Sequence, residues 1–428
     1  VWISNQAGNN GVLFGDLNVR AVKDKNDNII SDGRPSLGFT GNMDTYKPAE
    51  GSATRSDIAI TDPDFKYPSL WKSNIAADYK FGDGWVATVE LLYSKDINAI
   101  YHDNIGLYRT EQFVNDGGAG NARPYYNGYY SDREGNQKAA NHVVMLRNTS
   151  KGHSLYTTFQ LQKNFVDGIL KGLYLNGSYS FGQSRGVTDG TSSVATSAWK
   201  YRAALDGNAE EVGYTAGSFD GRLLLSASYT ANWSKYAATS FGLIYQRYRP
   251  FRYSYCYNGD ANGDSQFSND LMYIPANFDE VKDHLLPGDF DSQEDAWKAM
   301  NAFIEQDPYL SKHRGEYAER NGAVAPFANQ LDLSVSHDIK IYQKNGRSHT
   351  LRFSFNIANF LNLLNRNWGV VQTTVLGNQQ YQFLTIPKGQ GPSAANNYTL
   401  KYTMAKDLDE TFKDNLNDVS RWQIDRKS

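Results

Sequence analysis

The chain has 428 residues, and its formal net charge of −3 argues against a protein that binds nucleic acid. A single cysteine, Cys256, excludes an internal disulfide bond. The mean hydropathy of −0.59 describes a hydrophilic chain, and no apolar run reaches the roughly 18 residues that a membrane-spanning helix requires. Strands of a membrane barrel remain compatible with this composition, because only their alternate residues face lipid.

Residues 1–68 are polar and rich in glycine, asparagine and aspartate. We expect this segment to be mainly loop, with one strand near Val12 to Val22. The sequence begins at Val1 without a signal peptide, so we expect either a mature chain or a fragment of a longer one.

The first strong pattern surrounds the turn Gly82-Asp83-Gly84. Apolar and polar residues alternate on both sides of it, with Lys80 and Glu90 among the polar ones. The apolar positions are Ile75, Ala77, Tyr79, Phe81, Trp85, Ala87, Val89, Leu91 and Tyr93. Alternation with period two and a glycine turn predict a β-hairpin that has one apolar and one polar face.

Three more hairpins follow from the same pattern. Their turns are predicted at Asp167-Gly168, Ser234-Lys235 and Lys344-Asn345-Gly346. The apolar rows are Leu155, Thr157, Phe159, Leu161, Phe165, Leu173, Leu175, Gly177, Tyr179 and Phe181 in the second, Leu223, Leu225, Ala227, Tyr229, Ala231, Trp233, Phe241, Leu243 and Tyr245 in the third, and Leu331, Leu333, Val335, Ile339, Ile341, Leu351, Phe353, Phe355 and Ile357 in the fourth.

Aromatic residues gather at both ends of these apolar rows. Those beside the short turns are Phe81, Trp85, Phe165 and Trp233, and those at the opposite ends are Tyr93, Tyr179, Phe181 and Tyr245. Two aromatic bands around an aliphatic middle are typical of a transmembrane β-barrel with a polar lumen. The predicted fold is therefore all-β, an antiparallel transmembrane β-barrel portion. Eight strands are too few to enclose a large lumen, so we expect most of the barrel wall to lie outside this chain.

Long polar segments separate the hairpins, at about residues 95–151, 182–221 and 248–326. Barrels of the outer membrane place long loops outside the cell and short turns in the periplasm, so we expect these segments, and residues 1–68, to be mainly extracellular. The third segment predicts a short helix with Asp291 as its N-cap and an apolar face that includes Met300 and Phe303. Tyr253 and Tyr255 are expected to continue a strand above the membrane.

Several segments resemble a known family. They are NGDANGDSQFSNDLMYIP (258–275), NAFIEQDPYLSKHRGEYAERNG (301–322), PFANQLDLSVSHDI (326–339), NIANFLNLLNRNWG (356–369), VSRWQ (419–423) and, at the start, VWISNQAGNNG (1–11). Together they resemble the TonB-dependent outer-membrane receptors, in particular the Oar-like group with an N-terminal carboxypeptidase-regulatory-like domain. The later segments occur in the order expected for the C-terminal part of such a receptor.

The resemblance implies a barrel of roughly 22 strands closed by a plug in the outer membrane of a Gram-negative cell. It implies energised uptake of a solute, with outer-membrane lipid, a TonB complex and a surface lipoprotein as partners. The plug and the segment that contacts TonB are not in this chain. The chain ends at Asp425-Arg426-Lys427-Ser428, where the family continues a closing strand to a terminal aromatic residue, so we expect closure of the barrel to differ.

A candidate calcium site lies in the first of these segments. Oxygen ligands on alternate residues of a tight loop can surround a hard cation. The candidate ligands are Asp260, Asn262, Asp264 and Asp270. Ser265 and Leu271 occupy the glycine and glutamate positions of an EF-hand loop, so that template fails. The alternative is an Asx-turn loop whose carboxylates cap its own backbone.

Two further sets of residues are candidates for contact with a solute. A ligand-contacting loop is predicted at Tyr125, Tyr126, Tyr129 and Tyr130, although packing between neighbouring loops would explain the same cluster. The polar residues of the strands are expected to line the lumen, namely Lys80, Glu90, Gln160, Gln162, Asn176 and Arg352.

Nothing in the sequence predicts catalysis. The seven histidines form no HExxH pair, and the string Gly182-Gln183-Ser184-Arg185-Gly186 precedes a polar loop rather than the helix of a nucleophile elbow. We therefore expect a TonB-dependent receptor or transporter component and not an enzyme. One alternative is a barrel for surface adhesion or assembly without transport. Another is a secreted β-rich, carbohydrate-active enzyme.

Overall fold

The computed structural model of the protein describes residues 57–118, 122–130, 142–190, 192–342, 348–376, 380–415 and 423–425. It also describes one short antiparallel pair of strands, Val22–Lys23 with Ile29–Ser31. The predicted strand near Val12 to Val22 therefore lies almost wholly outside the described residues, as does the predicted turn Lys344-Asn345-Gly346 of the fourth hairpin.

Four long hairpins form the main sheet, as the alternating pattern predicts. Their strands are Leu70–Phe81 with Trp85–Asp96, His153–Asn164 with Leu173–Gly186, Arg222–Ser234 with Ala237–Tyr248, and Ala328–Tyr342 with Ser348–Ala358. Neighbours in sequence are neighbours in the sheet, and all pairs are antiparallel. Gln423–Asp425 adds to the last strand, and Gly213–Tyr214 adds to Leu173–Gly186.

The register between strands keeps the apolar residues together. Phe159 pairs with Val89 on one side and with Tyr179 on the other, and Ile75 pairs with Leu91. A shift by one residue in any pair would bring apolar side chains to the polar face. We call the two sides of this sheet the apolar face, which carries Phe159, and the polar face, which carries Gln160.

Large side chains on the apolar face are exposed. Ile75 is 69% exposed, Phe353 is 58% exposed and Leu225 is 42% exposed. Others on this face are Tyr79, Val89, Leu91, Tyr93, Leu155, Phe159, Leu161, Tyr179, Phe181, Tyr229, Phe241, Leu243, Ile339, Ile341, Leu351 and Phe355. Eight strands spaced about 4.8 Å apart make a face about 34 Å wide. Soluble monomers rarely expose a contiguous apolar surface of this extent.

Polar side chains on the opposite face form hydrogen bonds across the strands. Gln160 Nε2 donates to Asn176 Oδ1 over 2.8 Å. Arg352 makes two hydrogen bonds with the carboxylate of Asp338, of 2.6 and 2.7 Å. Such cross-strand pairs contribute to the stability of a sheet.

The apolar face carries Lys163 close to the short turns. Lys163 pairs with Trp85 in the register, and its ammonium group lies 5.5 Å from the Trp85 ring centroid and 5.0 Å from that of Phe165. The ammonium group also donates to the backbone oxygen of Asp83. The charge is thereby held at the turn end of the face.

The second hairpin differs from the prediction at its turn. Its strands are joined by eight residues, 165–172, rather than by a tight turn at Asp167-Gly168. Phe165 consequently lies outside the strand, and its backbone N–H donates to Leu173 O over 2.9 Å. Gly168 and Gly172 have φ of 68° and 91°, a conformation that favours glycine.

The long segments between the hairpins all lie at the other end of the sheet, and they are not structureless. We call the described residues among 97–152, 187–221 and 249–327, together with those among 359–415 after the fourth hairpin, the outer layer. Its strands are Ala99–Asn104, Leu107–Phe113, Pro124–Tyr129, Val143–Thr149, Gly213–Tyr214, Arg252–Asn258, Tyr273–Ile274, Glu316–Tyr317, Ala323–Val324, Val371–Thr374, Gln380–Thr385, Thr403–Met404 and Phe412–Asn415. Ile58–Thr61, in the segment expected to be loop, pairs in parallel with Val143–Thr149.

Three α-helices and three 3₁₀ turns lie in the described residues of the outer layer. They are the α-helices Ala195–Lys200, Gln293–Gln306 and Phe360–Leu364 and the 3₁₀ turns Phe278–Glu280, Leu310–Lys312 and Ala394–Asn396. In the described part of the chain, no helix combines the length and the apolar character needed to cross a membrane.

A buried aromatic core holds the outer layer together. Tyr253, Tyr255 and Tyr257 all project from the strand Arg252–Asn258 into this core. Other members include Leu271, Met272, Met300, Phe303, Ile304, Tyr381, Phe383, Leu400 and Tyr402. The expectation that Tyr253 and Tyr255 continue a strand of the barrel is wrong, because the strand of the third hairpin ends at Tyr248 and the chain then turns into the outer layer.

The helix Gln293–Gln306 has the predicted apolar face, with Met300, Phe303 and Ile304 buried. Its N-cap is Ser292 and not Asp291. The Ser292 side chain accepts a hydrogen bond of 3.1 Å from Asp295 N, which satisfies one of the free amides of the first turn.

We expect Ser292→Ala to destabilise this helix by about 1 kcal/mol, because the Asp295 amide loses its acceptor. Hydrogen exchange of the amides in residues 293–306 should accelerate about fivefold. Asp291→Ala is the matched control and should leave the exchange unchanged. Equal acceleration in both variants would contradict the assignment of the cap.

Candidate functional site

Arg123 fixes the position of the loop that carries the candidate calcium ligands. This arginine is fully buried. Its Nε donates to Asp116 Oδ2 over 3.1 Å, its Nη1 donates to Asp270 Oδ1 over 3.0 Å, and its Nη2 donates to Leu271 O. The guanidinium also lies 5.7 Å from the Tyr257 ring centroid. Residues from the first and third long segments are thereby joined through one cation.

Asp260 begins a tight loop and caps its backbone. Asp260 Oδ1 accepts from Asn262 N at 3.2 Å and from Gly263 N at 2.6 Å, while Oδ2 accepts from Ser265 N at 2.8 Å. Gly263 and Ser265 have φ of 82° and 65°. The side chain therefore replaces the backbone acceptors that this sharp turn cannot supply, as in an Asx-turn.

The carboxylates of Asp264 and Asp270 also accept hydrogen bonds within the loop. Asp264 Oδ1 accepts from Gln266 N at 2.8 Å, and Oδ2 accepts from Asn262 Nδ2 at 3.4 Å. Asp270 Oδ2 accepts from Ala261 N at 2.8 Å. All six carboxylate oxygens of Asp260, Asp264 and Asp270 thus already accept a hydrogen bond.

This arrangement does not fit a calcium site at Asp260, Asn262, Asp264 and Asp270. Calcium needs six to eight oxygen ligands that converge on one point, whereas these oxygens face separate backbone amides and Arg123. Across the described residues, no three side chains among histidine, cysteine, aspartate and glutamate are grouped to hold a metal ion. The geometry agrees with the alternative of an Asx-turn loop.

Burial disfavours ionisation of the carboxyl groups in this loop. Burial raises the pKa of Asp264 well above its usual range, and the neighbouring carboxylates of Asp270 and Asp260 raise it further. Burial also raises the pKa of Asp270 to about 7, although Arg123 opposes this shift. Desolvation and mutual repulsion therefore favour the protonated form of Asp264, while Arg123 favours the ionised form of Asp270.

The four tyrosines of the predicted ligand-contacting loop have different environments. Tyr126 is 1% exposed, and its hydroxyl donates to Asp206 Oδ1 over 2.7 Å. Tyr129 is also buried, with its hydroxyl 3.1 Å from His142 Nε2. Tyr125 is half-buried, whereas Tyr130 is exposed. Tyr126 and Tyr129 consequently contact protein and present no surface to a ligand, so packing between loops accounts for them.

The predicted lumen residues share one face of the sheet. Lys80, Glu90, Gln160, Gln162, Asn176 and Arg352 all lie on the polar face. Besides the two pairs described above, Asn74 Nδ2 donates to Glu90 Oε1 over 2.7 Å, and Tyr174 OH donates to Gln162 Oε1 over 3.1 Å. Lys80 is exposed.

The string 182–186 lies at the end of the strand Leu173–Gly186, and residues 187–190 after it form no helix. Its geometry is therefore not that of a nucleophile elbow. Among the histidines, burial lowers the pKa of His102 and of His142 to about 4. Both rings belong to the packed interior of the outer layer.

Sequence reasoning missed Arg123 and the buried core around Tyr257. The partners of Arg123 lie 7 and 147 residues away, and no local pattern connects them. The available signal was the charge of NGDANGD, which requires a nearby cation or many backbone donors.

The chain matches no family model, no curated protein and no solved structure. Its interpretation therefore depends on the arrangement of its own residues.

We expect Asp264→Asn to protect the loop 259–271 at neutral pH. A carboxyl group whose pKa is raised by folding favours the folded state below its unfolded pKa of about 4 and loses that contribution as the pH rises through the folded pKa. Hydrogen exchange of the loop, corrected for intrinsic rates, should therefore accelerate in the native chain as the pH rises above the unfolded pKa of about 4, and it should accelerate less in Asp264→Asn.

A calcium site would give the opposite result. Calcium would then slow exchange of the loop in the native chain and a chelator would accelerate it, and Asp264→Asn would remove both responses. With the capping geometry, neither calcium nor chelator changes the exchange.

Proposed function

We propose that this chain forms part of the barrel wall and the extracellular loops of a TonB-dependent outer-membrane receptor, which takes up a solute in the intact protein. The observation that carries the proposal is the exposed apolar face of the eight-stranded sheet. Exposure of so much leucine, isoleucine and phenylalanine surface to water is unfavourable, whereas contact with lipid is favourable.

The polar face supports the same proposal. Gln160, Asn176 and Arg352 form hydrogen bonds across strands on this side. A polar inner surface and an apolar outer surface are what a barrel wall requires around an aqueous or plugged lumen. The six predicted lumen residues then line the passage of the solute.

The arrangement of connections supports one orientation in the membrane. Connections of three, eight and two residues lie at one end of the first three hairpins, and the folded outer layer lies at the other. In outer-membrane barrels the short turns face the periplasm. The outer layer then faces the exterior, where the receptor segments found in the sequence would contribute to capture of the solute.

A barrel for adhesion or assembly is the second candidate. The observation that favours it is the packed core of the outer layer, because a rigid external surface suits contact with another macromolecule. Phe267 and Tyr201, which are 70% and 71% exposed, would belong to such a surface. Uptake of a solute that depends on TonB would distinguish the receptor from this alternative.

The membrane assignment is tested by substitutions on the two faces of one strand. Ala227→Arg places a cation on the apolar face, where it should disfavour insertion by about 2 to 4 kcal/mol. Ser226→Arg is adjacent and on the polar face, so it should be tolerated. The measurement is the folded fraction in lipid vesicles and in the outer-membrane fraction of cells.

Equal loss in the two arginine variants would contradict this placement of the faces. A native chain that stays folded and monomeric in buffer without detergent would instead support the secreted, carbohydrate-active enzyme.

Orientation is tested with introduced cysteines. Phe267→Cys should react with a membrane-impermeant maleimide on intact cells, because this side chain is exposed on the outer layer. Ile169→Cys, in the connection 165–172, should react only after the outer membrane is permeabilised, although Ile169 is 98% exposed. Cys256 is fully buried and contributes no background. The reverse pattern of labelling would invert the topology.

A further inference from the structure

A groove crosses the apolar face of the sheet. It has a volume of about 420 Å³, and its lining comes from six consecutive strands, from Trp85 to Leu331. Gly177 and Ala227 form its floor. The leucines that surround it are Leu161, Leu175, Leu225 and Leu243. At about 4.8 Å between strands, the groove extends about 24 Å, which is the length of an extended fatty acyl chain.

The depth of the groove depends on its small residues. A Cβ atom added at Gly177 would lie 3.1 Å from Leu225 Cδ2. Any larger side chain would therefore either displace this leucine or project into the groove.

The groove leads to a second pocket at the outer end of the sheet. Tyr245 lines both of them. The second pocket has a volume of about 430 Å³, and Phe327, Asn329 and Trp368 contribute to it. The hydroxyl of Tyr245 donates to Asn329 Oδ1 over 2.8 Å. The lining thus changes from apolar to polar at the level where the strands meet the outer layer.

Two guanidinium groups lie beside this second pocket. Arg247 follows Tyr245 on the apolar face and pairs with Asn329. Its Cζ lies 4.5 Å from the Phe327 ring centroid, and Arg249 Cζ lies 4.2 Å from the same ring. Arg249 is partly neutralised, because its Nε lies 3.7 Å from Asp220 Oδ2. Arg247 is exposed and has no ion-pair partner within the part of the chain that the structure describes.

We propose that the groove and the two arginines bind a membrane lipid with a phosphate-bearing headgroup, its acyl chain in the groove and its phosphate beside Arg247. The proposal rests on the membrane placement proposed above. Guanidinium groups make charge-assisted hydrogen bonds with phosphate oxygens, and stacking on Phe327 holds both cations at the rim.

The other charged group of the second pocket is consistent with this orientation. Asp414 lines the pocket and accepts a hydrogen bond of 3.2 Å from Gln372 Nε2. Its carboxylate would repel a phosphate, so the headgroup lies on the side of Arg247. Asn329 then offers a polar contact to the remainder of the headgroup.

The test measures lipid binding to the purified protein in detergent micelles by native mass spectrometry. The probes are phosphatidic acid, diacylglycerol with the same acyl chains, and inorganic phosphate. The native chain should bind phosphatidic acid most tightly. Arg247→Gln should weaken that binding roughly fivefold, since one interfacial cation is lost, and should leave diacylglycerol unaffected.

Two further variants separate the site from general effects of charge and packing. Arg222→Gln removes a cation from the polar face at the same level, where Arg222 pairs with Tyr248, and should leave binding unchanged. Ala227→Leu fills the groove without changing charge, and should weaken binding of both phosphatidic acid and diacylglycerol.

Three results would overturn the proposal. They are an equal loss in Arg247→Gln and Arg222→Gln, equal affinity for phosphatidic acid and diacylglycerol, and binding of inorganic phosphate that matches the lipid. Failure of the membrane placement is recognised separately, by equal tolerance of Ala227→Arg and Ser226→Arg. If Ala227→Arg prevents insertion, Ser226→Arg is tolerated and the protein shows no preference for phosphatidic acid, the lipid site alone is disproved.

Discussion

A β-strand has only two faces, and this constraint governs the whole molecule. Every long strand of the main sheet carries apolar residues on one face, and the pairing of Phe159 with Val89 and Tyr179 keeps these residues in register. In most proteins such a face is covered by a second layer and forms a core. Here the outer layer has its own core and does not cover it. An apolar environment would therefore stabilise the sheet.

The outer layer is organised by a different principle. Its segments come from between the hairpins and from after the fourth hairpin. The buried guanidinium of Arg123 joins them through Asp116, Asp270 and Leu271 O. A buried ion pair contributes little net stability, but removal of one partner leaves an uncompensated charge. The contribution of Arg123 is thus to specify one arrangement of the loops, within which the tyrosine-rich core can pack.

The alternating pattern of the sequence predicts the main sheet. It does not predict how the outer layer packs. Alternation around Gly82-Asp83-Gly84 and its three counterparts predicted four hairpins, because period two is a local property of the chain. The connection 165–172 includes the predicted turn Asp167-Gly168 but is longer than a tight turn. The alternation does not show this, because the apolar Phe165 continues it outside the strand. Ser292 and Asp291 are both good N-caps, and only the backbone geometry decides between them. The motif 260–264 supplied acidic residues at calcium-like spacing, yet whether they cap amides or bind a cation depends on tertiary contacts with Arg123.

Lys163 has a consequence for where the sheet can reside. It anchors the turn end of the apolar face beside Trp85 and Phe165, while Arg247 marks the opposite end near Phe327. In the proposed membrane placement, these two cations limit the hydrophobic height of the wall from below and above. A bilayer thicker than this height must thin locally, whereas in a thinner bilayer the wall can tilt, each at a modest free-energy cost for each ångström of mismatch. The protein would accordingly partition toward membranes of matching thickness, so bilayer thickness becomes a determinant of its distribution in the cell.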